Sequence, residues 1–218
     1  MPLLTTIRLD ANCTAVLWRI TETEADLRAG LPLTPDERAD LAAITHPAQR
    51  VEWLACRSAV CQLIQNRGGR YVGMQKDEWG KPHLINSPAH VSLSHTSGWA
   101  GAVLHRTRPV GLDIEPVRAQ FGRVVPRVLS DDEISHAAGD MGRLAVYWCA
   151  KEALYKLYGK RQLTFREHLF VEPFADGAAR LTGHVRLPGA GGSTTDGIDQ
   201  QTVIHCFRMG PGLLTIAY

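Results

Sequence analysis

Three elements of this chain recur in the same order at a spacing of 95 or 96 residues, and the repeat constrains the fold more than any other feature. Leu33-Thr34-x-Asp36-Glu37 returns as Leu129-Ser130-x-Asp132-Glu133, 96 residues on. Trp53–Ala59 returns less closely as Trp148–Leu154, at 95. The same 95 lays Ala15–Ile20 on Val110–Glu115, strand on strand. A supersecondary unit that repeats in order predicts two similar halves. The boundary falls near Thr107–Pro109, giving halves of residues 1–108 and 109–218. At 218 residues the chain is long enough for two small domains.

Local signals fill in each half. Thr34 is an N-cap with Pro35 in the first turn and Glu37 closing a capping box; Ser130 and Glu133 repeat that box. Gln49–Ile64 has helical period, with Val51, Leu54, Ala55, Cys61 and Ile64 on one face and Arg50 and Arg57 outside it. Arg143–Tyr158 is a second long helix, stopped by Gly159. Trp79–Pro82 reads as a turn that leads to the short apolar stretch His83–Ile85. Val91–Ser94 with Gly98–Leu104, Leu181–Leu187, and Thr202–Phe207 with Gly212–Tyr218 read as strands. Ser94–Ser97 joins the first of these strands to its partner. Leu163–Val171 is ambiguous, and Pro188–Gln201 has the composition of a surface loop.

The chemistry gathers on Val110–Glu115. Side chains alternate along a strand, so Asp113 and Glu115 share a face with Gly111, while Val110, Leu112 and Ile114 turn the other way into a core. Two carboxylates a strand step apart repel unless a cation or basic groups lie between them. On the helix Arg143–Tyr158, the residues Trp148, Glu152 and Lys156 lie four apart on one face. The ordinary reading of Glu152 and Lys156 is an exposed pair worth ~0.3–0.5 kcal/mol. The other is a third carboxylate that completes a hard-oxygen site with Asp113 and Glu115, with lysines neutralising phosphate charge beside it. Through the repeat, Trp18 and Ile20 stand where Asp113 and Glu115 stand, and Arg57 where Glu152 stands. The acids therefore belong to one half only, which suits a single asymmetric cleft with one basic and one acidic wall. Lys81, between Gly80 and Pro82, and His95, in Ser94-His95-Thr96-Ser97, have the ordinary reading of solvated turn residues; the other reading is as phosphate ligands, since Gly80 lets a ligand approach the backbone closely.

Balanced charge, 24 basic against 22 acidic residues and a net +2, argues against a nucleic-acid binder. The five cysteines show no metal spacing and read as buried apolar residues of a reducing compartment. There is no secretory pattern and no apolar run near the ~20 residues of a membrane span, so a cytoplasmic location is expected.

Val110-Gly-Leu-Asp113-Ile-Glu115 followed by Trp148-Cys-Ala-Lys151-Glu152-Ala153-Leu-Tyr-Lys156 resembles the paired signature of the 4′-phosphopantetheinyl transferases, in particular their larger single-chain class, the type that activates surfactin synthetase and other peptide and polyketide synthetases. Trp79-Gly80-Lys81-Pro82, Leu93-Ser94-His95-Thr96, Arg50 and Arg57 resemble that family's first-half motifs. The resemblance implies an α+β fold of two pseudo-symmetric halves, each a small antiparallel sheet packed with a long helix. It implies coenzyme A in the cleft, magnesium held by Asp113, Glu115 and Glu152, and Lys156 on phosphate. Arg50, Arg57, Lys81, Ser94, His95 and Lys151 would hold the phosphates and nucleotide. The implied reaction moves phosphopantetheine from coenzyme A to a serine of an apo acyl or peptidyl carrier protein and releases 3′,5′-ADP. Glu152 or a metal-bound water would take the serine proton. A monomer is expected, with no nucleic-acid or membrane partner. The step from Asp113 to Trp148 is short for the larger class; Arg118, Arg123 and Arg127 within it could meet an acidic carrier. A coenzyme A-binding protein without turnover and a metal-dependent nuclease or phosphatase are the competing readings.

Overall fold

The computed structural model describes every residue except 1–3, 118–124, 126, 162, 188–196 and 211. The chain divides into two compact units, Met1–Val110 and Gly111–Tyr218. In the first, β1 (Leu4–Arg8), β2 (Cys13–Arg19), β3 (Met74–Lys76), β4 (Pro82–Leu84), β5 (His90–Thr96) and β6 (Trp99–His105) form one sheet. Its helices are α1 (Glu24–Ala29), α2 (Pro35–Ala43) and α3 (Pro47–Gln65). The second unit has β7 (Gly111–Pro116), α4 (Asp131–Ala137), α5 (Met141–Tyr158), α6 (Phe165–His168), β8 (Leu169–Val171), β9 (Arg180–Leu187), β10 (Ile198–Met209) and β11 (Gly212–Ala217).

Strand order shows the duplication. The first sheet runs β1-β2-β6-β5-β4-β3 and the second β7-β11-β10-β9-β8, with every pairing antiparallel. Without the extra edge strand β1, the two orders coincide when β2 is matched to β7 and β6 to β11. The matched helices follow: α2 with α4 and α3 with α5. The architecture is α+β in two similar halves.

The helix boundaries come from local hydrogen bonds. Thr34 Oγ1 accepts from Glu37 N at 3.2 Å, and Ser130 Oγ accepts from Glu133 N at 3.3 Å, each with the reciprocal bond of a capping box. Gly159 ends α5 in the left-handed region at φ 76°. A helix that is apolar around most of its circumference must be covered on most sides; on α5, Leu144, Tyr147, Ala150, Leu154 and Leu157 are all buried. Leu54, Ala59, Val60 and Leu63 of α3 fill the first unit's core.

Each half also buries a glutamate in the same way. The carboxylate of Glu37, 2 % exposed, accepts from Thr34 N, the Tyr71 hydroxyl and Met74 N at the start of β3, and lies 3.3 Å from the Arg57 guanidinium. That of Glu133, 4 % exposed, accepts from Ser130 N at 2.8 Å and Val171 N in β8 at 2.9 Å, with Lys151 Nζ at 2.6 Å. A buried carboxylate is tolerated only when paired and hydrogen-bonded. Here one acid caps a helix, pins the far edge strand and neutralises a buried cation.

Several elements depart from expectation. β1, α1 and β3 carry too few residues for a periodic signal. β5 runs on to Thr96, leaving Ser97-Gly98 as a two-residue hairpin turn with Gly98 at φ 78°. The ambiguous stretch resolves into α6 and β8. β10 begins at Ile198, inside the segment with loop composition, because Ile198–Thr202 pair with Gly183–Leu187 of β9; residues 188–196 of that segment lie outside the described residues. So do Arg118 and Arg123, while Arg127 is exposed.

Candidate active site

β7 and α5 meet at Gly111, and this contact sets the site. A Cβ at 111 would lie 1.9 Å from the Ala153 carbonyl oxygen and 2.5 Å from Leu157 N, so only glycine lets the strand approach the helix this closely. Asp113 and Glu115 follow at two-residue steps on the same, helix-facing side. Leu112 and Ile114 face the other way and are also buried. The acids therefore lie against a packed helix.

Two bonds tie the acids to α5. Lys156 Nζ donates to Asp113 Oδ1 at 2.7 Å. Trp148 Nε1 donates to Glu115 Oε1 at 3.1 Å. Lys156 thus bridges to the strand instead of forming an exposed pair with Glu152 alone. Asp113 is 4 % exposed, and Thr215 on β11, opposite it in register, donates its hydroxyl to the Cys149 carbonyl at 2.7 Å. Trp148 stacks on Phe165, which stacks in turn on Tyr155, so the indole that holds Glu115 is itself held. Trp148 was placed in the helical row by its spacing; its role toward Glu115 had no sequence signal beyond being four residues from Glu152.

The electrostatics mark Glu152. Burial, then the neighbouring charges of Asp113 and Glu115, raise its carboxyl from the ordinary 4.5 to about 7, with Lys156 opposing. Burial works against the charge of Lys156, yet the charge and hydrogen bond of Asp113, with Glu152 behind them, hold its ammonium above the ordinary value. Asp113 and Glu115 both raise the Glu152 carboxyl and Lys156 lowers it, so the three acids act on one another as neighbouring charges.

Among the described residues no three His, Cys, Asp or Glu side chains are disposed to hold a metal ion, so Asp113, Glu115 and Glu152 are not a ready-made cage. The donor set still fits magnesium. That ion takes hard oxygen ligands, keeps several waters, and binds through one or two carboxylates plus substrate phosphates.

Three of the expected ligands also have partners within the fold. Lys151 is fully buried; besides Glu133, its ammonium donates to the carbonyls of Val128 at 2.8 Å and Phe165 at 3.1 Å, and burial lowers its pKa against the pull of Glu133. It has three acceptors and no open face. Arg50 makes two bonds to Glu24, at 2.8 and 2.5 Å, and donates to the carbonyls of Leu41 and Ile44 at the end of α2. It joins α1, α2 and α3. Arg57 was expected outside the apolar face but is 6 % exposed, lying over the Trp53 ring at 3.1 Å beside Glu37. Burial lowers its pKa.

The other first-unit residues are more open. His95 is exposed, with Nδ1 3.0 Å from Glu52 Oε2. Lys81 is half-buried in the turn held by Asp77, whose Oδ1 accepts from Trp79 N and Lys81 N at 2.9 Å. The burial lowers the pKa of Lys81, with Asp77 opposing. Ser94 is buried, its carbonyl accepting from the Cys56 thiol at 3.5 Å. A cavity of about 460 Å³ brings Arg57 and His95 together with Trp53 and Lys76; Arg50, Lys81 and Ser94 do not line it.

None of the curated proteins compared with the chain matches it significantly. A family model does match, over residues 109–195, and this stretch runs from β7 through β9. It contains Asp113, Glu115, Trp148, Glu152 and Lys156 and leaves out the whole first unit up to Arg108. The stretch that carries the acidic cluster is thus similar to a transferase family, described as ACPS: 4'-phosphopantetheinyl transferase superfamily.

Proposed function

We propose that the protein is a magnesium-dependent 4′-phosphopantetheinyl transferase of the larger, surfactin-synthetase-activating type, working as a cytoplasmic monomer on apo acyl or peptidyl carrier proteins. The observation that supports this reading most is the cluster on β7 and α5: two strand acids, a helix acid titrating at about 7, and a lysine bonded to the first acid. It falls within the stretch matched by the transferase family.

In this reading the serine hydroxyl of the carrier attacks the β-phosphorus of coenzyme A. A new serine O–P bond forms, the pyrophosphate bridge breaks, and 3′,5′-ADP leaves with the bridging oxygen. Asp113, Glu115 and Glu152 would hold magnesium, which when bound supplies Lewis-acid stabilisation of pyrophosphate charge. Lys156, kept cationic by Asp113, offsets the charge that grows on the departing phosphate. Glu152 Oε accepts the serine proton. Trp148 fixes the Glu115 carboxylate, and Gly111 fixes the distance between the acids and α5; holding reacting groups in place supplies much of the rate. Arg50, Arg57, Lys81, Ser94, His95 and Lys151 remain the candidates for contacts to coenzyme A, with Arg57 and His95 lining one cavity.

The reading is tested by incubating the protein with coenzyme A, magnesium and apo carriers of the fatty-acid, polyketide and peptide types, then weighing each carrier. A gain of one phosphopantetheine on at least one carrier supports the proposal. No gain on any of them overturns it.

A further inference from the structure

A second cavity, also lined by first-unit residues, shares none with the acidic cluster. It encloses about 1060 Å³ past the C-terminal end of α3. The last turn of that helix and its following loop supply Ile64, Arg67 and Arg70; β1 supplies Arg8 and the end of β6 supplies Arg106. α3 stops at Gln65, and β1, β2, β4 and β6 supply Thr6, Thr14, Leu84 and Leu104 to the cavity.

Its chemistry is one-sided. Four arginines line it, and no Asp or Glu does. Arg67 donates to the Asn12 carbonyl at 3.0 Å and Thr14 Oγ1 at 3.1 Å. Burial and the nearby charges of Arg106 and Arg8 hold its guanidinium below the ordinary value, with Asp10 and Cys13 opposing. Asp10 does not line the cavity, and its Oδ1 accepts from Asn12 N and Cys13 N. The side chains of Arg8, Arg70 and Arg106 make no hydrogen bond or ion pair among the described residues. Like charges gathered without a counter-charge destabilise a fold unless a ligand supplies one.

The floor is aliphatic. Leu63, Leu84 and Leu104 form its base, Ile64 and Ile85 are half-buried above them, and Val72 is 42 % exposed at the rim. No aromatic ring lines it, so a nucleobase would find nothing to stack on. Guanidinium groups match carboxylate and phosphate oxygens in paired hydrogen bonds. An aliphatic base beneath such groups suits a ligand with one anionic end and one hydrocarbon end, and the volume is of the size of small-molecule sites.

We propose that this arginine-rimmed groove binds an amphiphilic anion, with its carboxylate or phosphate held by Arg8, Arg70 and Arg106 and its hydrocarbon body on Leu63, Leu84 and Leu104. The groove shares no residue with the acidic cluster and does not depend on the transferase reading.

The test uses decanoate, decyl phosphate, decanol and inorganic phosphate, each titrated below micelle-forming concentration into the full chain. Methyl NMR shifts of the leucines, isoleucines and valines are followed. Saturable shifts at Leu63, Ile64, Leu84, Leu104 and Val72 are expected with decanoate or decyl phosphate, weakening at least threefold between 50 and 300 mM salt as arginine contacts are screened. Which head group binds tighter identifies the anion. Arg70→Glu with Arg106→Glu, both exposed, should weaken binding at least tenfold while leaving the unfolding midpoint near wild type. Equal binding of decanol would reduce the groove to an apolar patch and overturn the proposal. Equal binding of inorganic phosphate would overturn the hydrocarbon part. Unchanged affinity in the double variant, or no saturable shift with either amphiphile, would sink it altogether.

Discussion

Replacing Gly111 with alanine probes how the site is held together. The added methyl would sit 1.9 Å from the Ala153 carbonyl oxygen and 2.5 Å from Leu157 N, both backbone atoms of α5. No side chain can rotate away to relieve the clash. Ordinary contact starts at 3.4 Å, so strand and helix must separate by roughly 1.5 Å. Overpacking of this kind costs ~1–3 kcal/mol or more. The same displacement is imposed on the 2.7 Å bond from Lys156 to Asp113 and on the position of Glu152. Misplacing catalytic groups by ~1 Å can cost about 100-fold in rate. The variant should therefore unfold at lower urea and transfer phosphopantetheine about 100-fold more slowly. Gly142→Ala is the control on the same helix, because its methyl would meet only the Asp140 carboxylate, at 3.1 Å, within 4 Å; both readouts should stay near wild type. If Gly111→Ala folds and turns over like wild type, the β7–α5 contact does not position the site as argued.

Glu152 gives the metal-free protein a pH signature. Its folded-state carboxyl titrates at about 7 against an ordinary 4.5, so between those values the folded chain retains a proton the unfolded chain has released. Stability should fall as pH rises through that window, by up to about 3 kcal/mol at 1.36 kcal/mol per pH unit, and Glu152→Gln should flatten the profile; urea melts in chelator at pH 5, 6, 7 and 8 give the answer, and a wild-type profile matching that of the variant would refute it. Lys151→Ala should destabilise the fold by about 3–5 kcal/mol, because Glu133 would be left buried and unneutralised; a changed KM for coenzyme A with an unchanged unfolding midpoint would instead support Lys151 as a ligand. Arg50→Ala should likewise lower the unfolding midpoint and leave that KM alone, since the side chain ties Glu24 to the end of α2.

The duplication and both capping boxes were legible in the sequence because each is a local pattern. Thr34 with Glu37, and Ser130 with Glu133, satisfy hydrogen bonds within one turn, and Gly159 ends α5 through its own backbone angle. The row Trp148, Glu152, Lys156 was legible for the same reason. Arg57 and Lys151 were not, because what holds a buried cation is a distant acid: Glu37 for one, Glu133 for the other. A signal was present all the same. Lys151 stands between Ala150 and Ala153 on a helix apolar almost all round, where a lysine has no exit to water. β3 and β8, three residues each, exist because a buried glutamate takes one of their N–H groups, and a three-residue segment is too short for periodicity to announce. The arginine groove had no sequence signature, since Arg8, Arg70 and Arg106 come from three separate segments.

The central claim is that Asp113 and Glu152 serve the chemistry of transfer and are not needed for the fold. Mass measurement of an apo carrier after incubation with coenzyme A and magnesium, using wild type, Asp113→Ala and Glu152→Ala, tests it most directly. The expected result is one added phosphopantetheine with wild type and none with either variant, while both variants keep a cooperative unfolding transition. A full mass gain from either variant would contradict the claim for that residue, and gain from both would remove the acidic cluster from the mechanism.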